Sequence, residues 1–122
     1  MKETVKNGSD IYLSEKVGSI KLNNQCGAVV KLECYQKKNP GDSPQRVGQT
    51  GSFPVGQNKT LHLDDLNLKN GILVTVYVNV VAGKDDHATT WVIYEEGNKR
   101  TAEYTISGVI NFTSVAFNGV NE

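Results

Sequence analysis

Apolar and polar positions trade places every second residue along most of this chain, a period that belongs to strands rather than helices. "SIKL" sets Ile20 and Leu22 against Lys21, and the turn "NNQCG" follows. "AVVKLECY" puts Ala28, Val30, Leu32 and Cys34 on one face and Val29, Lys31, Glu33 and Tyr35 on the other. That is the mark of a half-buried strand. The strongest run is "ILVTVYVNVV". One face carries Ile72, Val74, Val76, Val78 and Val80, and the other Leu73, Thr75, Tyr77, Asn79 and Val81. Such a strand sits centrally in a sheet.

Between these runs lie turns. Residues 36–52, "QKKNPGDSPQRVGQTGS", are rich in Gly, Pro, Asn, Asp and Ser and form the longest irregular stretch. Long exposed loops are where function concentrates. In "SFPVGQNKTLHLDDL", Pro54 argues for an edge strand or a strand start, and Leu61 and Leu63 point inward with His62 outward. "WVIYEE" and "TAEYTIS" read as a hairpin closed by "GNKR", with Tyr104 and Ile106 inward. After Gly108, "VINFTSVAF" is the last strand. Roughly eight short strands at this spacing predict an all-β fold, a single-domain antiparallel β-sandwich over residues 1–122. Residues 1–10 and 118–122 are the segments expected to fray.

Composition narrows the function. Of 122 residues 38% are hydrophobic, enough for one core, and 13 basic residues balance 13 acidic ones. Only Arg46 and Arg100 are arginines. A neutral, Arg-poor chain is a poor nucleic-acid binder. No apolar run approaches the roughly 20 residues that span a bilayer as a helix. The start, "MKETVKNGSDIYLSEK", has no apolar core of a secretory signal. The expectation is a soluble protein that stays where it is made, leaves by another route, or lacks its leader here. Sequons at Asn7, Asn58 and Asn111 are read as chance in a chain rich in Asn and Thr. Cys26 and Cys34 would stand about 26 Å apart on one straight strand, against the roughly 7 Å a disulfide allows, so both are expected to be free.

The unusual chemistry is in "GKDDHATTW", where Asp85, Asp86 and His87 precede the only tryptophan. Carboxylates and a histidine suit Ca²⁺ or Zn²⁺. Asp64, from the second acidic cluster "LHLDDL", would join Asp85, Asp86 and His87 if both loops met at one end. No established metal-binding spacing is matched, and adjacent acids also start turns and keep edges soluble, so a solvated loop is the competing reading. Catalysis fails on inventory: two histidines, no nucleophile beside either, and acidic pairs that are strand neighbours facing opposite ways. Ligand contact falls to aromatics. Trp91, Tyr94, Tyr77 and Tyr35 are candidates for a sugar or headgroup site, with core packing as their ordinary role.

The order of "LNNQCGAVVKLE", a loop, "SFPVGQNKTLHL", a strand and a late "WVIYEEGNKRTAEYTI" resembles the aegerolysins, most of all the small insecticidal aegerolysin-like proteins of bacteria. The resemblance covers residues 17–107. It implies a single β-sandwich that binds membrane lipid and often acts with a second, pore-making protein. Fungal members are richer in tryptophan than this chain, and no binding residue is carried over. The leading expectation is therefore a non-enzymatic recognition module of the toxin or defence type, bound to a membrane lipid or cell-surface receptor. A lectin-like domain holding a glycan, with Ca²⁺ assisting, is the alternative. A structural or adhesion subunit whose edge strands self-associate into a homo-oligomer is the third.

Overall fold

A computed structural model describes residues 4–7 and 10–122. Eleven strands are found among them: β1 Thr4–Asn7, β2 Asp10–Val17, β3 Ser19–Cys26, β4 Val30–Lys37, β5 Gln45–Phe53, β6 Asn58–His62, β7 Leu73–Val80, β8 Asp86–His87, β9 Thr90–Tyr94, β10 Thr101–Val109 and β11 Phe112–Asn121. One 3-10 turn, Leu63–Leu66, follows β6 and ends on Asn67 in the left-handed region. The all-β sandwich expected from the alternation is what the chain forms.

The first sheet runs β1-β2-β9-β7-β4-β5, with the short β8 also on β7. The second runs β11-β10-β3-β6. Pairing is antiparallel except at β2–β9 and β3–β10, so both sheets are mixed rather than purely antiparallel. The cause is a doubled crossover. β2 leaves the first sheet at Gly18 and enters the second as β3; β9 leaves beside it and enters as β10. The two crossings lie side by side, with Gly18 N and Ser19 N both donating to Arg100 O. Each sheet therefore receives one parallel pair.

That crossing corrects the expected hairpin. "WVIYEE" and "TAEYTIS" do not pair with each other, because β9 and β10 belong to different sheets. The segment carrying much of the family resemblance is thus a sheet-to-sheet passage. The irregular stretch is shorter than expected too: residues 45–53 are β5, an outer strand mostly exposed. An edge strand buries little, so it lacks the alternation that marks inner strands. In the C-terminal segment expected to fray, Asn121 and Val120 pair with Thr101 and Ala102. Fraying of residues 1–10 lies partly outside the described residues; within them Thr4–Asn7 pairs with β2.

The core fills the space between the sheets. β7 contributes Val74, Val76, Val78 and Val80, β4 contributes Val30, Leu32 and Cys34, and β10 contributes Ala102, Tyr104 and Ile106. These are the inward faces that the alternation predicts. Leu63 and Phe53 are buried as well. Cys26 closes β3 in one sheet and Cys34 lies in β4 of the other; the chain does turn between them, yet both are free and buried. Burial pushes the Cys34 thiol up to about 12, which leaves it protonated and inert at neutral pH.

Candidate functional site

The aromatics singled out in the sequence are mostly used by the fold itself. Trp91 is 1% exposed and Tyr94 is buried, so neither can present a ring to a ligand. Tyr94 shares the core with Val92. Trp91 lies outside that core cluster but is roofed over: Tyr12 stacks at 6.3 Å between centroids, and the Lys37 ammonium sits 4.4 Å above the indole. Lys37 in turn meets Asp10 at 3.2 Å and Pro40 O at 3.1 Å. Burial alone would lower its pKa, but the Tyr12 hydroxyl and the Asp10 carboxylate outweigh that and hold the ammonium charged. Tyr77 is stacked by Tyr35 at 3.7 Å and by His87 at 4.7 Å. With a ring partner on each side, Tyr77 offers no free face to a sugar.

The acidic loops do not meet either. Asp64 lies near the end of β9, where it accepts from the Tyr94 hydroxyl at 2.6 Å and from Gly97 N at 3.3 Å. These bonds, the tyrosine's first, hold its pKa below the usual carboxylate value. Asp86 pairs in register with Val78, near the opposite end of β7. Among the described residues no three His, Cys, Asp or Glu side chains gather into a group fit to hold a metal. The set Asp85, Asp86, His87 and Asp64 is therefore not one site, because strand direction carries Asp64 to the other end. Ser19 Oγ and His62 Nδ1 lie 3.2 Å apart, a cross-strand pair on an exposed sheet edge.

The carboxylates of "GKDDHATTW" hold the loop itself in place. Asp85 Oδ1 accepts from Asn79 Nδ2 at 3.1 Å and Val80 N at 3.0 Å, bracing the turn that leaves β7. Asp86 Oδ2 accepts from the Thr113 hydroxyl at 2.7 Å, and its Oδ1 takes His87 N at 2.8 Å. Lys84 N donates to Asn111 Oδ1 at 2.9 Å. The bonds to Thr113 and Asn111 fasten this loop to the β10–β11 hairpin. These carboxylates serve hydrogen bonds of the fold itself, and the hairpin they hold is the conspicuous feature.

That hairpin turns through Ile110 and Asn111, with Asn111 at φ 71, a conformation asparagine tolerates better than most residues. Its tip exposes Val109 (59%), Ile110 and Phe112 (80%). Three more exposed valines stand on neighbouring turns: Val29, Val55 and Val81. Together these six are the exposed large hydrophobics among the described residues, and all lie at one end of the sandwich. Hydrogen bonds stitch the turns together. Gly27 N reaches Gly108 O at 3.0 Å, Val81 N reaches Val29 O at 2.9 Å, and Gly56 N reaches Asn24 O at 2.7 Å. Buried Asn24 ties the set from within, its amide donating to Ala28 O and Phe53 O. Beside the hairpin lies an open depression of about 780 Å³ bordered by Lys31, Asn79, Lys84, Asp85 and Asn111.

Sequence patterning misses this tip. Alternation makes "VINF" the start of a strand, though three large apolar residues around one asparagine in "GVINFT" are an unusual make-up for a turn. Asn24, inside "NNQCG", likewise has the look of an ordinary turn residue.

No protein-family model matches the sequence, and no curated protein does. Partial structural likeness is found to listeriolysin O, with TM-score 0.41 and 11% identity over 84% of this chain and 22% of that one. It is found also to pneumolysin, with TM-score 0.42 and 12% identity over 86% of this chain and 24% of that one. A third solved structure, described as a trapped toxin, gives TM-score 0.42 and 13% identity over 84% and 23%. The chain thus spans less than a quarter of these proteins' length.

Proposed function

We propose that this chain is a non-enzymatic module that binds membrane surfaces through its apolar loop end. One observation carries the reading: among the described residues all six exposed large hydrophobics gather at that end, led by Phe112 at 80% exposure beside the β10–β11 turn. Scattered surface apolars are ordinary, but a segregated set is not. Apolar side chains set on several neighbouring turns suit insertion among lipid chains. Burial of Ile110 and Phe112 side chains is worth about 1.5–3 kcal/mol each when complete. Lys31 and Lys84 are balanced at this end by Asp85 and Asp86, so attraction to anionic lipid adds little. A lipid target agrees with the aegerolysin resemblance, as does action beside a second protein.

The sugar-binding alternative has less behind it. Tyr77 is stacked on both faces, Trp91 is covered, and the carboxylates that would hold Ca²⁺ are occupied by backbone and hydroxyl donors.

Co-sedimentation with phosphatidylcholine vesicles tests the proposal. The wild type should pellet with vesicles with little dependence on salt. The double variant Ile110→Ser/Phe112→Ser should lose about 100-fold in affinity, from the partial loss of two buried side chains. Equal binding by the variant, or no binding by the wild type to neutral or anionic vesicles, would sink the idea.

A further inference from the structure

Among the described residues the two sheets end in four edge strands, β1, β5, β6 and β11, and two of them, β5 and β6, are guarded. β5 has two register irregularities against β4, bears Arg46, and runs into Pro54. β6 is five residues long, carries Lys59, and is cut off by the 3-10 turn. Short length, bulges, charge and proline are how proteins stop edges from pairing with other chains.

β11 has almost none of these. It runs ten residues, "FTSVAFNGVN", without a charge or a proline, and among the described residues it pairs with β10 alone. Its one irregularity is late, between the partners of Glu103 and Tyr104, at Asn118 and Gly119. The regular part, Phe112–Phe117, is uncharged, and Phe112, Thr113, Val115 and Phe117 are strand-favouring types. Its outward side chains at Ser114 and Ala116 are small and exposed, so nothing bulky bars a neighbour.

We propose that β11 pairs with β11 of a second copy, antiparallel, about a two-fold axis near Val115, joining two four-stranded sheets into one of eight. Charge chooses the occupant. Pairing β11 with β6 brings Lys59 to the seam without an acidic partner on β11, and pairing it with β5 brings Arg46, whose partner Glu33 lies within its own sheet, whereas β11 against itself brings no charge. Length agrees, because a strand pairs best with one of equal extent, and antiparallel pairs are the more stable kind. The two-fold sets Ser114 of each copy opposite Ala116 of the other. It also sends the two apolar tips in opposite directions. The inference stands apart from the membrane reading, since it rests on the strand edge and not on the tip.

Sedimentation velocity of the full chain across the micromolar range tests it, with thermal melts to check folding. The wild type should be a dimer. Ser114→Lys/Ala116→Lys sets like charges across the seam and should weaken association by about tenfold or more while the melt is kept. Ser114→Lys/Ala116→Glu sets opposite charges across the same seam and should restore the dimer, which a merely damaged fold would not do. A monomeric wild type overturns the proposal. So does a dimer that tolerates the double lysine, or one that opposite charges fail to rescue.

Discussion

At one end of the sandwich the chain turns through residues 27–29, 54–57, 81–85 and 110–111; at the other it turns through 63–71 and 95–100. The first set exposes Val29, Val55, Val81, Ile110 and the flanking Val109 and Phe112. The second is "EEGNKR" and its neighbours, where polar side chains fasten backbone. Asp64 takes Gly97 N, Asn70 Oδ1 takes Glu96 N, and Asn98 Oδ1 takes Arg100 N. Arg100 also meets Glu15 at 3.1 Å. Both ends are hydrogen-bonded, so turn chemistry does not explain the apolar one. A fold gains nothing by leaving Phe112 in water. Residues that stability does not require are the ones to test for function.

The largest effect that sharpens the contrast is at glycine. At the polar end the two crossovers nest at Gly18, where an added Cβ would collide with the Asn98 backbone carbonyl. Backbone cannot swing aside as a side chain can. Gly18→Ala should cost about 3 kcal/mol, lowering the melting temperature by roughly 10 °C. At the apolar end, an added Cβ at Gly27 meets nothing within 4 Å. Gly27→Ala should be neutral or slightly stabilising. Calorimetry of both variants decides; comparable losses would mean that the crossover is not the constrained point.

Which parts of this are legible in sequence follows from what alternation reports. It reports burial between sheets, so the inward faces of β4, β7 and β10 stand out down to Val76 and Tyr104. It says nothing of which sheet a strand joins, so β9 and β10 have the pattern of a hairpin without being one. It fades on an edge, so β5 has the pattern of a loop. The candidate site is hidden for two further reasons. Asp85 and Asp86 look like metal ligands because donor atoms are visible in sequence and their hydrogen-bond partners, Val80 N and Thr113, are not. Trp91 looks available because the lysine that covers it, Lys37, is far away along the chain.

A smaller effect comes from pH at the polar end. Asp64 has a folded pKa below its ordinary 3.8, caused first by the Tyr94 hydroxyl and then by Gly97 N. Its contribution is present above that ordinary value and is lost as pH falls through the folded one. The same hydrogen bond, with burial second, pushes Tyr94 up to about 12 from 10.0. That contribution is complete below the ordinary value and is lost as pH rises toward and through about 12. Urea unfolding across pH should show Tyr94→Phe with a flatter acid limb and a flatter alkaline limb than wild type. Unchanged slopes on both sides would mean that the Tyr94–Asp64 bond does not latch this end.

The smallest stability effect is expected where the functional effect should be greatest. Phe112 is not among the hydrophobics packed on the core and stands 80% exposed. Phe112→Ser alone should change stability by less than about 0.5 kcal/mol, the ordinary range for a surface position. A slight gain is as acceptable as a slight loss, because the unfolded chain hides part of the ring that the folded one leaves in water. Urea midpoints of wild type and variant, measured without lipid, give the number. A loss above about 1 kcal/mol would mean that the ring packs in solution against something, and the apolar tip would then belong to the fold. A null result, set beside the vesicle assay, separates the two ends by role. At the polar end polar side chains hold the turns together; at the apolar end Asn24, Asp85, Asp86 and Asn111 hold the turns in the same way, and the Phe112 ring is what stands in water.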